Sequence, residues 1–335
     1  MTTNSTKIIC TLGPSSYKKS ILKKLKRENV DIFRINLSHT PKNLIKSKIL
    51  YLKKNNIKNI CIDTEGAQIR TTECKKKYFL KKNKIIKISN IDRLSDNVEI
   101  SLYPKFNSLF VKKKSIILIG FNNLELQVIE QIKKTNVLVC KVIKSGFLES
   151  KKGVHIKSNL KLPALTIKDI YALKLAKNLG LKHFAISFVN SHEDLKLVKD
   201  LVGKNSFIIS KIETLNAIKN LKKISKFSNA LLIDRGDLSR YIPIEQIPLA
   251  QEQIINFLSR LKKPTYVATN LLETMIQESL PTRAESHDVY STLKQGAKGL
   301  VLAAETAIGK DPIACIQFLK KCIKEFKKNT KIIRA

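Results

Sequence analysis

The sequence has no pair of cysteines spaced C-x-x-C and no hydrophobic run long enough to cross a membrane. Its first seven residues include no apolar segment of the kind that a secretory signal needs. The missing cysteine pairs argue against a zinc site and a disulfide framework, and they indicate a reducing compartment. We therefore expect a protein of the cytoplasm that has no membrane contact.

Acidic residues are also scarce: 27 Asp and Glu stand against 63 Lys and Arg, which gives a formal net charge of +36. Such a balance is found in proteins that bind nucleic acid or other polyanions. The lysines, however, are spread along the chain without a dense basic tail or interleaved aromatic residues. This distribution is typical of solvated surfaces. We expect no specific nucleic-acid site, although the charge favours polyanionic substrates.

Short β-rich segments alternate with amphipathic ones along most of the chain. Leu215, Ile218, Leu221 and Ile224, for example, repeat at helical spacing. The pattern predicts strands at 7–11, 31–35, 59–63, 183–187, 207–212, 230–234, 265–269 and 299–303. It predicts helices at 17–28, 42–54, 167–179, 192–201, 215–226, 248–260, 283–295 and 312–327. Eight strands with eight helices predict an α/β fold, a (βα)8 TIM barrel.

One stretch interrupts this alternation. Between about 72 and 160 the pattern becomes a series of strands, such as 84–88, 115–119, 125–129 and 137–142, without a clear helix. It lies between the third strand and the next helix, so we interpret it as a small β-domain inserted after strand 3. The predicted organisation is a catalytic barrel formed by residues 1–71 and 161–335, with an inserted β-barrel-like cap domain at 72–160.

Two apolar segments of the predicted barrel end abruptly in charge. The first delivers Lys211 and Glu213, and the second delivers Asp237 directly after Gly236. In parallel α/β folds, the groups at the C-terminal ends of strands are the ones that meet substrate. A lysine with two carboxylates suits a divalent metal that holds a phosphorylated or carboxylate ligand, and the alternative is a set of salt bridges. The glycine would let a ligand approach the backbone closely.

Polar groups also stand at the ends of the second and third predicted strands. Arg34, Asn36 and Ser38 alternate along the chain and therefore share one face of an extended segment. That face either contacts a ligand or is solvated. Asp63 and Thr64 offer hard oxygen ligands, although Asp-Thr is also an ordinary turn pair.

Three further residues are candidates on weaker signals. Arg70 is a fixed cation suited to phosphate. Thr269 falls at the end of the seventh predicted strand, where its hydroxyl could face the cavity or could simply finish a strand. Lys152 belongs to a lysine pair before a glycine, which in so basic a chain is usually solvent-exposed.

Taken together, these segments resemble the pyruvate kinase family, in the family's order and over nearly the whole chain. The matching motifs are TKIICTLGPS at 6–15, RINLSH at 34–39, DTEGAQIRT at 63–71, KKGV at 151–154, LPAL at 162–165, ISKIE at 209–213, RGDL at 235–238, AT with LETM at 268–275, PTRAE at 281–285 and ETA at 305–307. The resemblance implies transfer of a phosphoryl group from phosphoenolpyruvate to ADP, a glycolytic step that gives pyruvate and ATP.

The resemblance also implies roles for individual residues. Glu213 and Asp237 would hold Mg²⁺ or Mn²⁺, Lys211 would neutralise the phosphoryl group in transfer, and Thr269 would be a second catalytic residue. The implied substrate contacts are Arg34, Gly236, Asp237 and Thr269. The implied nucleotide contacts are Asn36, His39, Arg70 and Lys152. A possible K⁺ would be bound by Asn36, Ser38, Asp63 and Thr64.

The chain departs from the family's pattern at three informative positions. Glu65 replaces a lysine, and Gln68 stands where a glutamate accompanies potassium dependence, which leaves the requirement for K⁺ open. Asp234 replaces a small residue and adds negative charge near the metal. We also expect the family's C-terminal regulatory domain to be absent, so a homo-oligomer would be smaller or differently assembled.

Two other functions remain open from the sequence. The altered motif around Glu65 would also fit a degenerate paralogue with a binding or regulatory role. Another magnesium-dependent barrel enzyme, acting on phosphoenolpyruvate, pyruvate or oxaloacetate, would also use such a metal site, although the Lys152 motif argues against it. Pyruvate formation from phosphoenolpyruvate and ADP would separate the kinase from the paralogue.

Overall fold

The computed structural model describes residues 6–66, 68–91, 93–106, 108–120, 124–156 and 162–328. The chain divides into two compact units, Met1–Gly66 with Ile167–Ala335, and Ala67–Thr166. The predicted domain boundary between 160 and 161 lies outside the described residues. We call the first unit the barrel and the second the inserted unit.

The barrel is closed by eight parallel strands, which confirms the predicted TIM-barrel fold. In chain order, and numbered one to eight here, they are Lys7–Thr11, Ile32–Asn36, Ile60–Asp63, His183–Ile186, Phe207–Ile212, Ala230–Asp234, Thr265–Ala268 and Gly299–Leu302. Each strand pairs with its two neighbours in chain order, and the first pairs with the eighth. The β-branched and aliphatic residues that fill the strands are buried because helices cover the outside of a parallel barrel.

Helices follow the strands as the apolar spacing predicts. The α-helices of the barrel are Lys19–Arg27, Ile45–Lys54, Ile167–Asn178, His192–Val202, Leu215–Lys219, Leu221–Phe227, Arg235–Leu238, Ile247–Arg260, Arg283–Lys294, Ala304–Ala307 and Pro312–Lys328, with 3₁₀ turns at Leu37–His39, Lys42–Leu44, Ile244–Gln246 and Glu273–Ile276. The single helix predicted at 215–226 is wrong, because Asn220 ends one short helix and begins another.

Strand register brings the polar strand ends to one level. Asn36 lies opposite Asp63, and Asp63 lies opposite Ala185 in strand four. Lys211 lies opposite Leu232, and Asp234 lies opposite Ala268. The charged side chains of strands three, five and six therefore converge at the C-terminal edge of the barrel, above an apolar interior of Ile9, Ile32, Cys61, Ala185, Ile209, Ala230, Leu232, Tyr266, Ala268 and Val301.

The seventh strand is shorter than predicted. It ends at Ala268, and Thr269 leaves it with a φ of 81°, followed by Asn270 with a φ of 58°. A left-handed conformation cannot continue a strand, and it is unusual for a β-branched residue. Thr269 therefore lies in the loop after the strand.

The inserted unit is a β-structure with its own apolar core. Its seven-stranded sheet has the spatial order Val154–Ile156, Ile116–Ile119, Leu124–Ile132, Val137–Lys144, Ile85–Ser89, Glu99–Tyr103 and Arg70–Thr71. A separate ribbon pairs Tyr78–Leu80 with Gly146–Leu148, and a 3₁₀ turn spans Ser108–Phe110. Its core includes Leu80, Ile100, Ile117, Leu126, Leu138 and Val142, all fully buried.

No helix in the described part of the chain combines the length and the apolar composition that crossing a membrane would demand.

Candidate active site

Lys211 is the centre of the site at the C-terminal edge of the barrel. It is 5% exposed, and its Nζ lies 2.7 Å from Glu213 Oε1 and 3.2 Å from Asp234 Oδ2. A third carboxylate oxygen, Oδ1 of Asp63, is 3.8 Å away. Burial lowers the pKa of Lys211, but the carboxylates around it outweigh that effect and hold the pKa well above its usual value. The side chain is therefore a permanent, fixed cation.

Glu213 is held rigidly and has no exposure to solvent. Its Oε2 accepts a 2.6 Å hydrogen bond from the backbone N–H of Phe188. Its Oε1 lies beside the Lys211 ammonium but accepts no hydrogen bond of acceptable geometry. Burial, opposed by Lys211 and aided by the Asp237 carboxylate, raises the pKa of Glu213 to about 8. The Glu213 carboxyl must therefore lose a proton before it can bind a cation.

Three carboxylates come together beside Lys211. Ligand atoms of Glu213, Asp234 and Asp237 all lie within 4.8 Å of one another. Asp237 also pairs with Arg240 at 3.2 Å. Hard oxygen ligands in such a group match the preference of Mg²⁺ or Mn²⁺, so the donor set fits the predicted divalent metal.

Asp234 is closer to the centre of the site than the sequence indicated. It contacts Lys211, and its Oδ1 accepts a 2.7 Å hydrogen bond from the hydroxyl of Thr269. Burial would raise the pKa of Asp234, but the Lys211 ammonium and this hydroxyl lower it to about 2. The sequence showed only that Asp234 adds negative charge here, and the structure makes it a third potential metal ligand.

Arg34 forms the second cationic position of the site. It is 4% exposed, and its Nη1 lies 3.2 Å from Asp63 Oδ2. Its Nε donates to Thr11 Oγ1 at 2.8 Å, and Thr11 in turn donates to the carbonyl of Leu302. Thr11 had no sequence signal beyond its place at the end of a strand. The guanidinium is thereby fixed at the barrel mouth.

The residues predicted to bind K⁺ lie together but already have internal partners. Asn36 Oδ1 accepts from the backbone N–H of Ser38, at 2.9 Å. Thr64 Oγ1 accepts from the N–H of Ser187, at 2.8 Å. Ser187 also donates to the carbonyl of Thr64 and receives a 3.1 Å hydrogen bond from Lys211. Sequence reasoning missed Ser187, although a polar residue directly after strand four was a usable signal.

Glu65, which departs from the family's pattern, is neutralised locally. Its Oε2 lies 2.9 Å from Lys168 Nζ, and the same ammonium donates to the carbonyl of Leu37. The backbone N–H groups of Glu65 and Gly66 donate to the fully buried Asp169, at 2.8 and 3.1 Å. The extra negative charge of Glu65 is therefore offset by its ion pair with Lys168.

The remaining predicted nucleotide contacts are distributed over both units. His39 is exposed at the end of the 3₁₀ turn after strand two. Arg70 and Lys152 belong to the inserted unit, where Arg70 Nη1 donates to the carbonyl of Lys151. Lys152 pairs with Glu149 at 3.1 Å, and its N–H donates to Thr71 Oγ1.

The chain is similar to known proteins of one family. The family described as "Pyruvate kinase, barrel domain" matches residues 3–316. A pyruvate kinase of Thermotoga maritima is 36% identical, over 98% of this chain and 72% of its own length. One of Methanocaldococcus jannaschii is 33% identical, over 95% of this chain and 69% of its own. For a chloroplastic pyruvate kinase isozyme of Nicotiana tabacum the identity is 31%, and the chain spans 57% of that relative.

Proposed function

This chain belongs to the pyruvate kinase family, and we propose that it catalyses the family's reaction, phosphoryl transfer from phosphoenolpyruvate to ADP. In this reaction the bond from phosphorus to the enol oxygen breaks and a bond to the terminal phosphate of ADP forms. The enolate that leaves takes up a proton and becomes pyruvate. The observation that supports the proposal best is the buried Lys211 at the C-terminal edge of the barrel, flanked by Glu213 and Asp234.

Glu213, Asp234 and Asp237 are the residues that would hold Mg²⁺ or Mn²⁺. The donor set fits because all three residues offer carboxylate oxygens within 4.8 Å of one another, a grouping of like charges that a divalent cation would neutralise. When bound, such a cation supplies charge that offsets the phosphoryl oxygens. Asp234 extends the pair of carboxylates that the sequence predicted to a set of three.

Lys211 and Arg34 supply the fixed positive charge that the transfer needs. Most of the catalysis of phosphoryl transfer comes from positioning and electrostatic stabilisation. Lys211 is held by carboxylates on several sides and keeps its proton, so it needs no reorganisation when a phosphoryl group passes it. Arg34, fixed by Asp63 and Thr11, would bind the substrate phosphate.

The loop residues after strands six and seven would bind the rest of the substrate. Gly236 and Asp237 lie in the short helix Arg235–Leu238, and their backbone is proposed to receive phosphoenolpyruvate. A side chain at Gly236 would put its Cβ 2.9 Å from Thr269 Cγ2, so the close approach of these loops requires glycine. Thr269 is proposed to face the substrate with its hydroxyl.

The nucleotide contacts remain proposals on the family's pattern. Asn36 and His39 of the barrel, and Arg70 and Lys152 of the inserted unit, are assigned to ADP. Arg70 suits a phosphate because its guanidinium is planar and always charged. We also propose that residues 72–160 act as a distinct inserted domain.

We propose that the reaction does not depend on K⁺, although Asn36, Ser38, Asp63 and Thr64 are all present. Gln68 has no negative charge to offer a cation, and Asp63 is paired with Arg34. The Lys168 ammonium already contacts the carbonyl of Leu37, between Asn36 and Ser38. These contacts place the Lys168 side chain, which is paired with Glu65, beside Asn36 and Ser38.

The cellular location and the oligomeric state of the protein are also proposals. Four of its cysteines, Cys10, Cys61, Cys140 and Cys315, are free and buried, which suits the reducing cytoplasm. A homo-oligomer remains a proposal from the family.

The proposal is tested by measuring pyruvate formation from phosphoenolpyruvate, ADP and Mg²⁺, in buffers with and without K⁺. We expect turnover in both buffers, and a loss of at least about 1,000-fold in a Lys211→Met variant. Lys174→Met, which changes an exposed lysine of the helix Ile167–Asn178, is the matched control.

The outcomes separate the two claims. Absence of pyruvate in every mixture, or a Lys211→Met variant as active as the wild type, would overturn the kinase assignment. Activity that appears only with K⁺ would overturn the potassium claim alone. A Lys211→Arg variant keeps the charge and shows whether loss of activity reflects failure to fold.

A further inference from the structure

Thr269 is held in an unusual backbone conformation that a threonine does not favour. Its φ of 81° and the φ of 58° at Asn270 place two successive non-glycine residues in the left-handed region. For a β-branched residue this conformation is unfavourable, and it persists only where the surroundings enforce it. Contacts with neighbouring residues must therefore hold Thr269 in this conformation.

Three successive residues at the end of strand six each contact a different part of Thr269. Asp234 accepts the hydrogen bond from its hydroxyl, at 2.7 Å. Arg235 donates from Nε to its carbonyl oxygen at 3.0 Å, and Nη2 donates to the same oxygen. Gly236 leaves room for its methyl group, which lies where a Cβ would clash. The threonine is fixed at its hydroxyl, carbonyl and methyl.

Arg235 is itself held by a partner from another element. Its Nη1 lies 2.8 Å from both carboxylate oxygens of Asp288, in the helix Arg283–Lys294. The Arg235 side chain is 14% exposed and the Asp288 side chain is 32% exposed, so the arginine is the better shielded partner of this ion pair. One planar group thus joins the helix to the carbonyl of Thr269.

We propose that Arg235, anchored by Asp288, is a positioning residue that holds Thr269 in its strained conformation and so directs the hydroxyl into the site. This inference rests on the proposed function, in which Thr269 faces the substrate. Arginine is required because its rigid fork donates to the carbonyl and the carboxylate at once, whereas a lysine offers a single point charge. A misplacement of about 1 Å at a reacting centre costs about 100-fold in rate.

The test compares Arg235→Lys and Asp288→Asn with the wild type in steady-state pyruvate formation. We expect kcat to fall about 10- to 100-fold in both variants, while the KM for ADP stays unchanged. Arg260→Lys, at an exposed arginine in the last turn of the helix Ile247–Arg260, is the matched control and should keep full activity.

A double variant decides whether Arg235 acts through Thr269. If it does, Arg235→Lys combined with Thr269→Val is no slower than Thr269→Val alone, because the group being positioned is already missing. Losses that multiply, or an unchanged kcat in both single variants, would overturn the proposal. Asp288→Asn hardly changes the size of the side chain, so this variant still tests the proposal if Arg235→Lys fails to fold.

A structural measurement keeps the test separate from the proposed function. If the wild type makes no pyruvate, the kinase assignment fails. Crystal structures of the wild type and of Arg235→Lys still test whether Arg235 holds Thr269 in its conformation. We expect residue 269 to leave the left-handed region in the variant and to lose its hydrogen bond to Asp234. An unchanged loop in the variant would overturn the positioning role.

Discussion

At the scale of single residues, the site combines buried charges of both signs that depend on one another. Lys211 keeps its proton because carboxylates surround it, and Asp234 stays ionised because Lys211 and Thr269 stabilise its charge. Glu213 differs from both, because burial and the Asp237 carboxylate oppose its ionisation and raise its pKa. Such a set is costly without a cation, which is why a divalent metal fits it.

The first prediction concerns the third carboxylate. Asp234→Ala removes an oxygen ligand from the group with Glu213 and Asp237, so we expect the Kd of the free protein for Mn²⁺ to rise about tenfold or more. Calorimetric titration without substrate measures it. Asp200→Ala, at an exposed aspartate of the helix His192–Val202, is the control. Equal affinity in Asp234→Ala and wild type would mean that Asp234 does not bind the metal.

The second prediction concerns pH. Because the pKa of Glu213 is raised to about 8 in the metal-free protein, its carboxyl is largely protonated at pH 7, and a metal must displace that proton. We expect affinity for Mn²⁺ to increase as the pH rises to about 8 and then to level off. About one proton should be released at pH 7. Titrations in buffers of different ionisation enthalpy count it, and buffer-independent heats would contradict the prediction.

At the scale of elements, loops after neighbouring strands are tied to helices by side chains. The helix Arg283–Lys294 carries Asp288 to Arg235, and its first turn is stabilised by Thr282 and Glu285. Glu285 accepts from the N–H of Thr282 at 2.7 Å and from the N–H of Thr274, also at 2.7 Å. The start of this helix therefore also fixes the 3₁₀ turn after strand seven.

The third prediction tests that helix start. Thr282→Ala removes the hydroxyl that accepts from the N–H of Glu285, so we expect a loss of about 1 kcal/mol in the free energy of unfolding. Denaturant unfolding followed by circular dichroism measures it. Ser20→Ala, at an exposed site inside the helix Lys19–Arg27, should not destabilise the protein. A Thr282→Ala variant as stable as the wild type would show that the capping hydroxyl contributes nothing.

At the scale of the whole molecule, the chain leaves the barrel after Gly66 and returns to it at Ile167. The N–H groups of Glu65 and Gly66 are bound by Asp169, which lies two residues after that return. The two barrel segments that flank the inserted unit are therefore held together by hydrogen bonds within the barrel. In the part of the chain that the structure describes, the residues of the barrel's apolar interior all belong to the barrel unit.

The fourth prediction follows from this arrangement. Replacement of residues 67–166 by a short Gly-Ser linker should leave a barrel that unfolds cooperatively, since closing a short loop between adjacent ends costs little entropy. The deletion variant should still bind Mn²⁺, because Glu213, Asp234 and Asp237 all belong to the barrel. A broad, non-cooperative thermal transition, or loss of Mn²⁺ binding, would show that the barrel depends on the inserted unit.

Much of the fold was predictable because it depends on local periodicity. Eight apolar β-segments with helices after them are sufficient to indicate a (βα)8 barrel, and strand ends such as Lys211 and Glu213 must then face its mouth. The break at Asn220 and the end of strand seven at Ala268 were not predicted, since helical spacing continues through Asn220 and the β-branched Thr269 favours a strand. Element ends depend on caps and tertiary contacts, which spacing does not encode.

The sequence by itself determined the barrel, the position of Lys211 and Glu213 at a strand end, and the family. Only the tertiary structure decided which side chains meet across strands. Arg235 and Asp288 are 53 positions apart, and Asp234 and Thr269 are 35 apart. The left-handed Thr269 is decided in the same way, because a β-branched residue favours an extended backbone until distant contacts hold it otherwise.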